Sequence, residues 1–254
     1  MSNETIYDHP LYYDILFGWD RSHEADVYQD VFRRCGVGPD EPILEVACGT
    51  GQIALRLARR GWHVTGLDID PKMLAFLRDR AAAEGVAVAT RCADMTAFAS
   101  EAVFGAAYSP MSSFRLLHTD AEAEAHLRTL AAALRPEGVY VLDLEIQERA
   151  STPSVTNTES WSMTRANVTV HASEDAVRVD DAGVFRALRR GRDVHLRPTT
   201  AAAFTERVAA SGAFHIEGWL PESGRDAEGV SRFDPSVPQP VPRAGRALVV
   251  LRRR

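Results

Sequence analysis

The residues whose types and spacing could do chemistry cluster near position 50. Ile43–Val46 is an apolar run that enters the turn Ala47-Cys48-Gly49-Thr50-Gly51, and the turn opens a helical stretch. A second apolar run closes at Gly66-Leu67-Asp68-Ile69-Asp70. Two glycines spaced in this way let backbone N–H groups approach a ligand with no Cβ between them. Asp68 then stands where a carboxylate accepts hydrogen bonds from ribose hydroxyls. The arrangement is that of a nucleoside cofactor site. Gly49-x-Gly51-x-x-Ala54 also satisfies the looser dinucleotide fingerprint, so a nicotinamide-dependent oxidoreductase is the alternative at this point. A further acidic stop, Ala93-Asp94-Met95, follows the third apolar run.

The elements that must position these residues alternate. Strands are expected at about 42–47, 62–67, 86–91, 103–109 and 139–144. Helices between them carry Ile53, Leu57, then Met73, Leu74, Leu77, then Leu127, Leu130, Leu134 on one face. Asp70-Pro71 starts one helix and Gly85 stops it, while Thr119 with Glu122 forms a capping box for another. Alternation of this kind calls for a parallel sheet covered by helices on both faces. Residues 1–38 precede the sheet as a helical cap, and residues 39–254 form the core. At about 156–197 the period drops to two, with Val168, Val170, Ala172, Val177 and Val179, which indicates an antiparallel β insertion after the fifth strand. A helix around Phe204 and Val208 and strands at 214–220 and 246–251 complete the pattern.

The length of 254 residues suits one α/β unit with an appendage, and 45% hydrophobic with 25% charged residues is an ordinary globular composition. A net charge of -6 argues against a nucleic-acid partner, which needs clustered Lys and Arg. No apolar stretch approaches the length of a membrane span, and three scattered cysteines make neither a disulfide framework nor a metal pair. A cytoplasmic protein without a metal is expected. Cys48 reads as a small residue filling the turn rather than a nucleophile.

The cofactor segment resembles the class I S-adenosylmethionine-dependent methyltransferases, whose first loop commonly reads Glu-x-x-Cys-Gly-Thr-Gly with a following Gly-x-Asp-x-Ser/Asp; here these are Glu45 to Gly51 and Gly66 to Asp70. Arg135-Pro136-Glu137-Gly138 and the strand after it are similar to the family's Arg/Lys-Pro-Gly-Gly turn, with Glu137 in place of the first Gly. The resemblance implies a Rossmann-like seven-stranded sheet and S-adenosyl-L-methionine as cofactor. It implies that Glu45, Ala47, Gly49 and Gly51 face the methionine portion, Asp68 the ribose, and Ile69, Met73, Asp94 and Met95 the adenine, with Ser109 on the same edge. Ala47 departs from the Gly that many members carry. Tyr7 to Phe17 is similar to the Tyr/Asp-rich stretch that caps the cofactor in small-molecule members, which makes Tyr13 a donor contact.

Methyl transfer from a sulfonium is an in-line displacement that rests on positioning, so a base is optional. Tyr13, His118, His171 and His195 are the weak catalytic candidates. Trp19, Phe114, Trp161 and Arg197 are expected on the acceptor side. Tyr108-Ser109-Pro110-Met111 lacks the Asn/Asp-Pro-Pro-Tyr/Phe of base- and glutamine-methylating enzymes resembled at this level, which leaves a small-molecule substrate. The insertion serves dimerisation as readily as binding, so a homodimer is a second role for it. The segment 221–245 holds five of the 13 prolines and is either a lid, with Phe233 and Asp234 as its contacts, or a mobile loop. A protein that binds the cofactor without transferring its methyl is the remaining alternative.

Overall fold

The computed structural model describes residues 4–100, 103–149, 160–173, 176–189, 197–221, 233–236 and 240–254. Five parallel strands form the heart of the sheet: β1 (Pro42–Val46), β2 (His63–Asp68), β3 (Val88–Cys92), β4 (Phe104–Ser109) and β5 (Leu134–Ile146). They are completed by β10 (Phe214–Pro221) and β11 (Gly245–Arg253), and the order across the sheet is β10-β11-β5-β4-β1-β2-β3. β11 runs antiparallel to both β5 and β10. This is the Rossmann-like seven-stranded arrangement that the resemblance implies, built on the parallel core expected from the alternation.

Helices α2 (Ser22–Arg34) and α3 (Gln52–Arg59) cover one face, where Val31, Phe32, Ile53 and Leu57 meet Ile43, Tyr108 and Val141. Helices α5 (Asp120–Ala133) and α6 (Ala201–Ser211) cover the other, where Leu127, Leu130, Phe204 and Val208 meet Leu44, Tyr140 and Leu142. Alternate residues of each central strand thus feed opposite cores. The helix starts are set locally: Asp70 accepts from the Lys72 N–H at the head of α4 (Pro71–Glu84), and Thr119 with Glu122 makes the reciprocal cap of α5.

β5 begins earlier than the sequence suggests. Arg135-Pro136-Glu137-Gly138 was expected to be a turn ahead of the strand, but Leu134 pairs with Phe104 and Val139 with Ala106. The extra residues are absorbed as an irregularity in the ladder, with Glu137 at φ +60°.

The insertion is a four-stranded antiparallel sheet of β6 (Trp161–Arg165), β7 (Val168–Ala172), β8 (Ala176–Asp181) and β9 (Val184–Arg189). Its apolar face packs on α1 (Pro10–Leu16): Val170, Val177, Val179 and Leu188 share a core with Ile6, Tyr12, Ile15 and Leu16. Residues 1–38, grouped as one cap in the sequence, therefore divide. α1 belongs to the insertion's core and α2 to the sheet's.

Candidate functional site

The turn after β1 is built from backbone in the left-handed region: Ala47, Gly49 and Gly51 have φ of +54°, +53° and +68°. Glycine takes this conformation freely, whereas alanine at 47 gives up about 1 kcal/mol to it. Asp68, at the end of β2, closes the turn. Its Oδ2 accepts from the Gly49 N–H at 2.7 Å and its Oδ1 from the Asp70 N–H at 2.9 Å. Burial pushes the Asp68 carboxyl up, and these backbone bonds oppose the rise by stabilising the anion. Each oxygen retains a lone pair for a further donor such as a ribose hydroxyl.

Tyr13 of α1 lies over the turn. A Cβ added at Gly49 would stand 3.6 Å from the Tyr13 ring, so ring and glycine backbone are in contact. Tyr7 and Phe17 flank that ring at 5.4 and 4.6 Å between centroids. Ile69, next to Asp68, is 68% exposed, an unusual state for isoleucine and one that supplies an apolar wall beside the carboxylate. Met73 is buried on α4 behind it.

Glu45 is not at the surface of the crevice. It is buried beneath the turn, where its Oε2 accepts from the Tyr108 hydroxyl at 3.0 Å and its carboxylate takes the Ala54 N–H of α3. It shapes the turn from below. Burial pushes its carboxyl up to about 8, from an ordinary value of 4.5. The folded chain therefore holds this proton more tightly than the unfolded chain, so the contribution to stability is complete below about pH 4.5 and is lost as pH rises through about 8. Chemical denaturation of wild type and Glu45→Gln should show wild type losing stability between about pH 5 and about pH 8, and the variant with a flatter profile.

Asp94 is exposed and turned back on its own loop, with Oδ1 accepting from both the N–H and the hydroxyl of Thr96 at 2.7 Å, bonds that hold its carboxyl below the usual range. The backbone beside it is fixed by a residue the sequence did not single out. His126 of α5 is buried and pushed down to about 4 by desolvation, hence neutral. Its Nδ1 lies 2.9 Å from the Met95 carbonyl and its Nε2 3.0 Å from the Tyr140 hydroxyl. Only Nδ1 donating and Nε2 accepting satisfies both neighbours, so the histidine is a strut holding Met95 in place. The amphipathic pattern of α5 would have revealed it as a polar residue on the apolar face.

The opposite end of the crevice is organised by ion pairs. Asp143, a buried carboxylate on β5, accepts from the Met111 N–H at 2.9 Å and from Arg246 of β11 at 2.9 and 2.5 Å. Met111 and Ser112 both take left-handed φ, +58° and +55°, directly after β4. Arg21, 2% exposed, pairs with Glu24 at 2.7 Å, reaches the Met111 sulfur at 2.9 Å and lies 4.3 Å over the Trp19 ring. An aspartate inside the apolar run Val139–Leu144 was the available sign of this cluster.

The remaining candidates for the cofactor, the acceptor and the base scatter. Ser109 is buried, with its hydroxyl 3.5 Å from the Val46 carbonyl. Phe114 is a core residue, its ring 5.7 Å from His126 and 5.4 Å from Phe204. Arg197 is committed to Asp120 at 2.5 Å, and Trp161 donates to the Leu16 carbonyl at 3.1 Å with its ring 6.0 Å from Phe17. His171 is engaged by the Ser162 hydroxyl at 2.6 Å and His118 is exposed. His195 lies outside the described residues, as does most of 221–245. Phe233, named as a lid contact, is fully buried against Gly218 in the core under α2, and Asp234 bonds Ser236. Cys48 is buried and its thiol pushed well up by desolvation, which removes it as a nucleophile at neutral pH.

A left-handed glycine turn, a carboxylate at the end of the next strand and the strand order of the sheet now stand together. Residues 43–138, from β1 into β5, match the methyltransferase domain family. Over this stretch the chain is similar to methyltransferase domains, and its fold is that of S-adenosylmethionine-dependent methyltransferases. The domain is 31% identical over 130 residues to the uncharacterized methyltransferase YodH of Bacillus subtilis, a match covering 50% of this chain and 53% of that protein. The chain spans about half the length of the curated relatives it matches. Among solved structures, an S-adenosylmethionine-dependent methyltransferase from Clostridium acetobutylicum is similar over 97% of this chain and 96% of its own, with TM-score 0.69 at 15% identity. CalS10, an amino pentose methyltransferase from Micromonospora echinaspora, is similar over 93% of both chains with TM-score 0.64 and 25% identity. The nicotinamide alternative finds no support in these likenesses.

Proposed function

We propose that this chain transfers the methyl group of S-adenosylmethionine to a small-molecule acceptor. The observation that carries the reading is the convergence of Tyr13, the Gly49 backbone and the Asp68 carboxylate on one point, beside an exposed Ile69. Such a donor set fits an adenosyl group: a carboxylate for two hydroxyls, an apolar wall for a purine and a close-approach backbone for the thioether arm. When bound, the cofactor supplies an electrophilic methyl on a sulfonium. The chain's part is then to hold and to shield. Asp68 takes the ribose, Ile69 and the Met95 backbone take the adenine, Gly49 and Gly51 bring the amides close, and the Tyr13 ring excludes water above them.

The acceptor belongs at the end of the crevice shaped by Met111, Asp143 and Arg21. CalS10 acts on an amino pentose, which puts amino sugars first among the acceptors to try. His126 is a buried strut and His171 is engaged on the insertion, which leaves transfer to rest on positioning. No helix of the described residues is long and apolar enough to cross a membrane, and all three cysteines are unpaired; both accord with a cytoplasmic enzyme of small-molecule metabolism.

Titration calorimetry with S-adenosylmethionine and S-adenosylhomocysteine should give dissociation constants in the micromolar range, roughly -8 kcal/mol. Labelled-methyl transfer to a panel of amino sugars and phenols should then yield a methylated product. Absence of heat with both ligands overturns the reading, and binding without transfer to any acceptor in the panel favours a non-catalytic binder.

A further inference from the structure

We propose that Asp14 is a positioning residue that docks α1 and the β insertion, moving as one body, onto the cofactor turn. The inference rests on the reading of that turn as the cofactor seat. Its starting point is the third core, which is drawn from residues 6–17 and 161–188 alone. The Tyr12 hydroxyl donates to Asp181 at 3.0 Å and the Trp161 indole to the Leu16 carbonyl at 3.1 Å, so polar bonds as well as apolar packing join α1 to the inserted sheet. Parts that share a packed core move together.

The ties from this body to the parallel sheet's helices converge on one carboxylate. Asp14 is fully buried. Its Oδ1 accepts from Arg80 of α4 at 2.7 Å and from the Gln52 side chain at 3.1 Å, while its backbone carbonyl accepts from the same Gln52 amide at 3.0 Å. Its Oδ2 accepts from Arg165, the last residue of β6, at 2.6 Å. Gln52 is the first residue of α3, immediately after Gly51. One side chain thus binds the helix that the cofactor turn opens, a second helix of the sheet domain and the insertion. Lys72 adds an exposed tie to Asp8 at 2.9 Å.

The adjacent residue gives the junction its consequence. Tyr13 is covalently next to Asp14 on a helix of seven residues, and its ring rests on Gly49. Wherever Asp14 holds α1, the Tyr13 ring follows. Departure of a ligand seated under that ring requires the body to lift, and lifting separates Asp14 from Gln52 and Arg80. The Arg80 side chain is 25% exposed, so solvent ions reach the pair that lifting breaks, and salt weakens a closure held in this way.

Stopped-flow fluorescence of S-adenosylhomocysteine release from the full chain tests this. Arg80→Ala, which removes the pair that lifting breaks, should release the ligand about tenfold faster than wild type, and Asp14→Asn faster still. Arg80→Lys should recover much of the loss by keeping the charge. Raising NaCl from about 50 mM to about 500 mM should speed release from wild type several-fold and leave Asp14→Asn little changed. Arg80→Ala leaves Asp14 paired with Arg165 and Gln52, so the chain should stay folded, and it carries the test should Asp14→Asn fail to fold. Wild type that takes up no S-adenosylhomocysteine overturns the reading of the site and the docking with it. Wild type that binds, with Arg80→Ala releasing at the wild-type rate or with release indifferent to salt, overturns the docking alone.

Discussion

Replacing Asp68 with alanine is expected to weaken S-adenosylhomocysteine binding about a hundredfold, close to 2.7 kcal/mol, while the chain stays folded. Two losses add. The first is the charge-assisted bond that Asp68 offers a ribose hydroxyl, worth about 1.5–3 kcal/mol in a partly dry site. The second is organisation: Oδ2 holds the Gly49 N–H at 2.7 Å and Oδ1 the Asp70 N–H at 2.9 Å, so the carboxylate fixes both the glycine turn and the head of α4. Asp68→Asn should do little better, because its amide would set a second donor against one of those N–H groups. Calorimetry measures the affinity, and the melting temperature confirms that the fold survives. An affinity within threefold of wild type would remove Asp68 from the site.

How much of this was legible beforehand follows from which forces act locally. The order of strands and helices could be read because caps and glycine stops sit beside the residues they control: Asp70 and Pro71 at the start of α4, Gly85 at its end, Thr119 with Glu122 at α5. The glycine turn and Asp68 could be read because they lie 19 residues apart in one strand-turn-helix-strand unit. Asp14 could not, since its partners Gln52, Arg80 and Arg165 are 38, 66 and 151 residues away, and nothing local requires them to meet. The same holds for Asp143 and Arg246, joined across 103 residues by the antiparallel return of β11. Phe114 and Trp161 were placed at the acceptor because aromatics after a strand or in an insertion suit both packing and binding. Burial of Phe114 beside Phe204, and the half-buried packing of Trp161 on Phe17, are properties of the assembled layers that spacing does not carry.

The second large effect is on stability and separates conformational from packing strain at one residue type. Gly51 and Gly85 have nearly the same backbone, φ +68° and +67°, so a Cβ at either meets the same left-handed penalty of about 1 kcal/mol. Their surroundings differ. At Gly85 nothing lies within 4 Å of the added atom, whereas at Gly51 the methyl would stand 2.3 and 2.7 Å from the two Cδ atoms of Leu77. Leu77 is wholly buried among Cys48, Leu55, Leu74 and Ala81, so it has little room to turn aside. Overpacking of that kind costs a further 1–3 kcal/mol or so. Gly85→Ala should therefore lower the unfolding free energy by about 1 kcal/mol and Gly51→Ala by about 2–4 kcal/mol, a large part of the 5–15 kcal/mol typical of a domain. Urea denaturation with equal slopes for wild type and both variants gives the difference between them as the packing contribution alone. Equal losses at the two positions would mean that Leu77 yields freely, and the glycine at 51 would then be required by its φ and by the approach of a ligand rather than by the helix packed behind it.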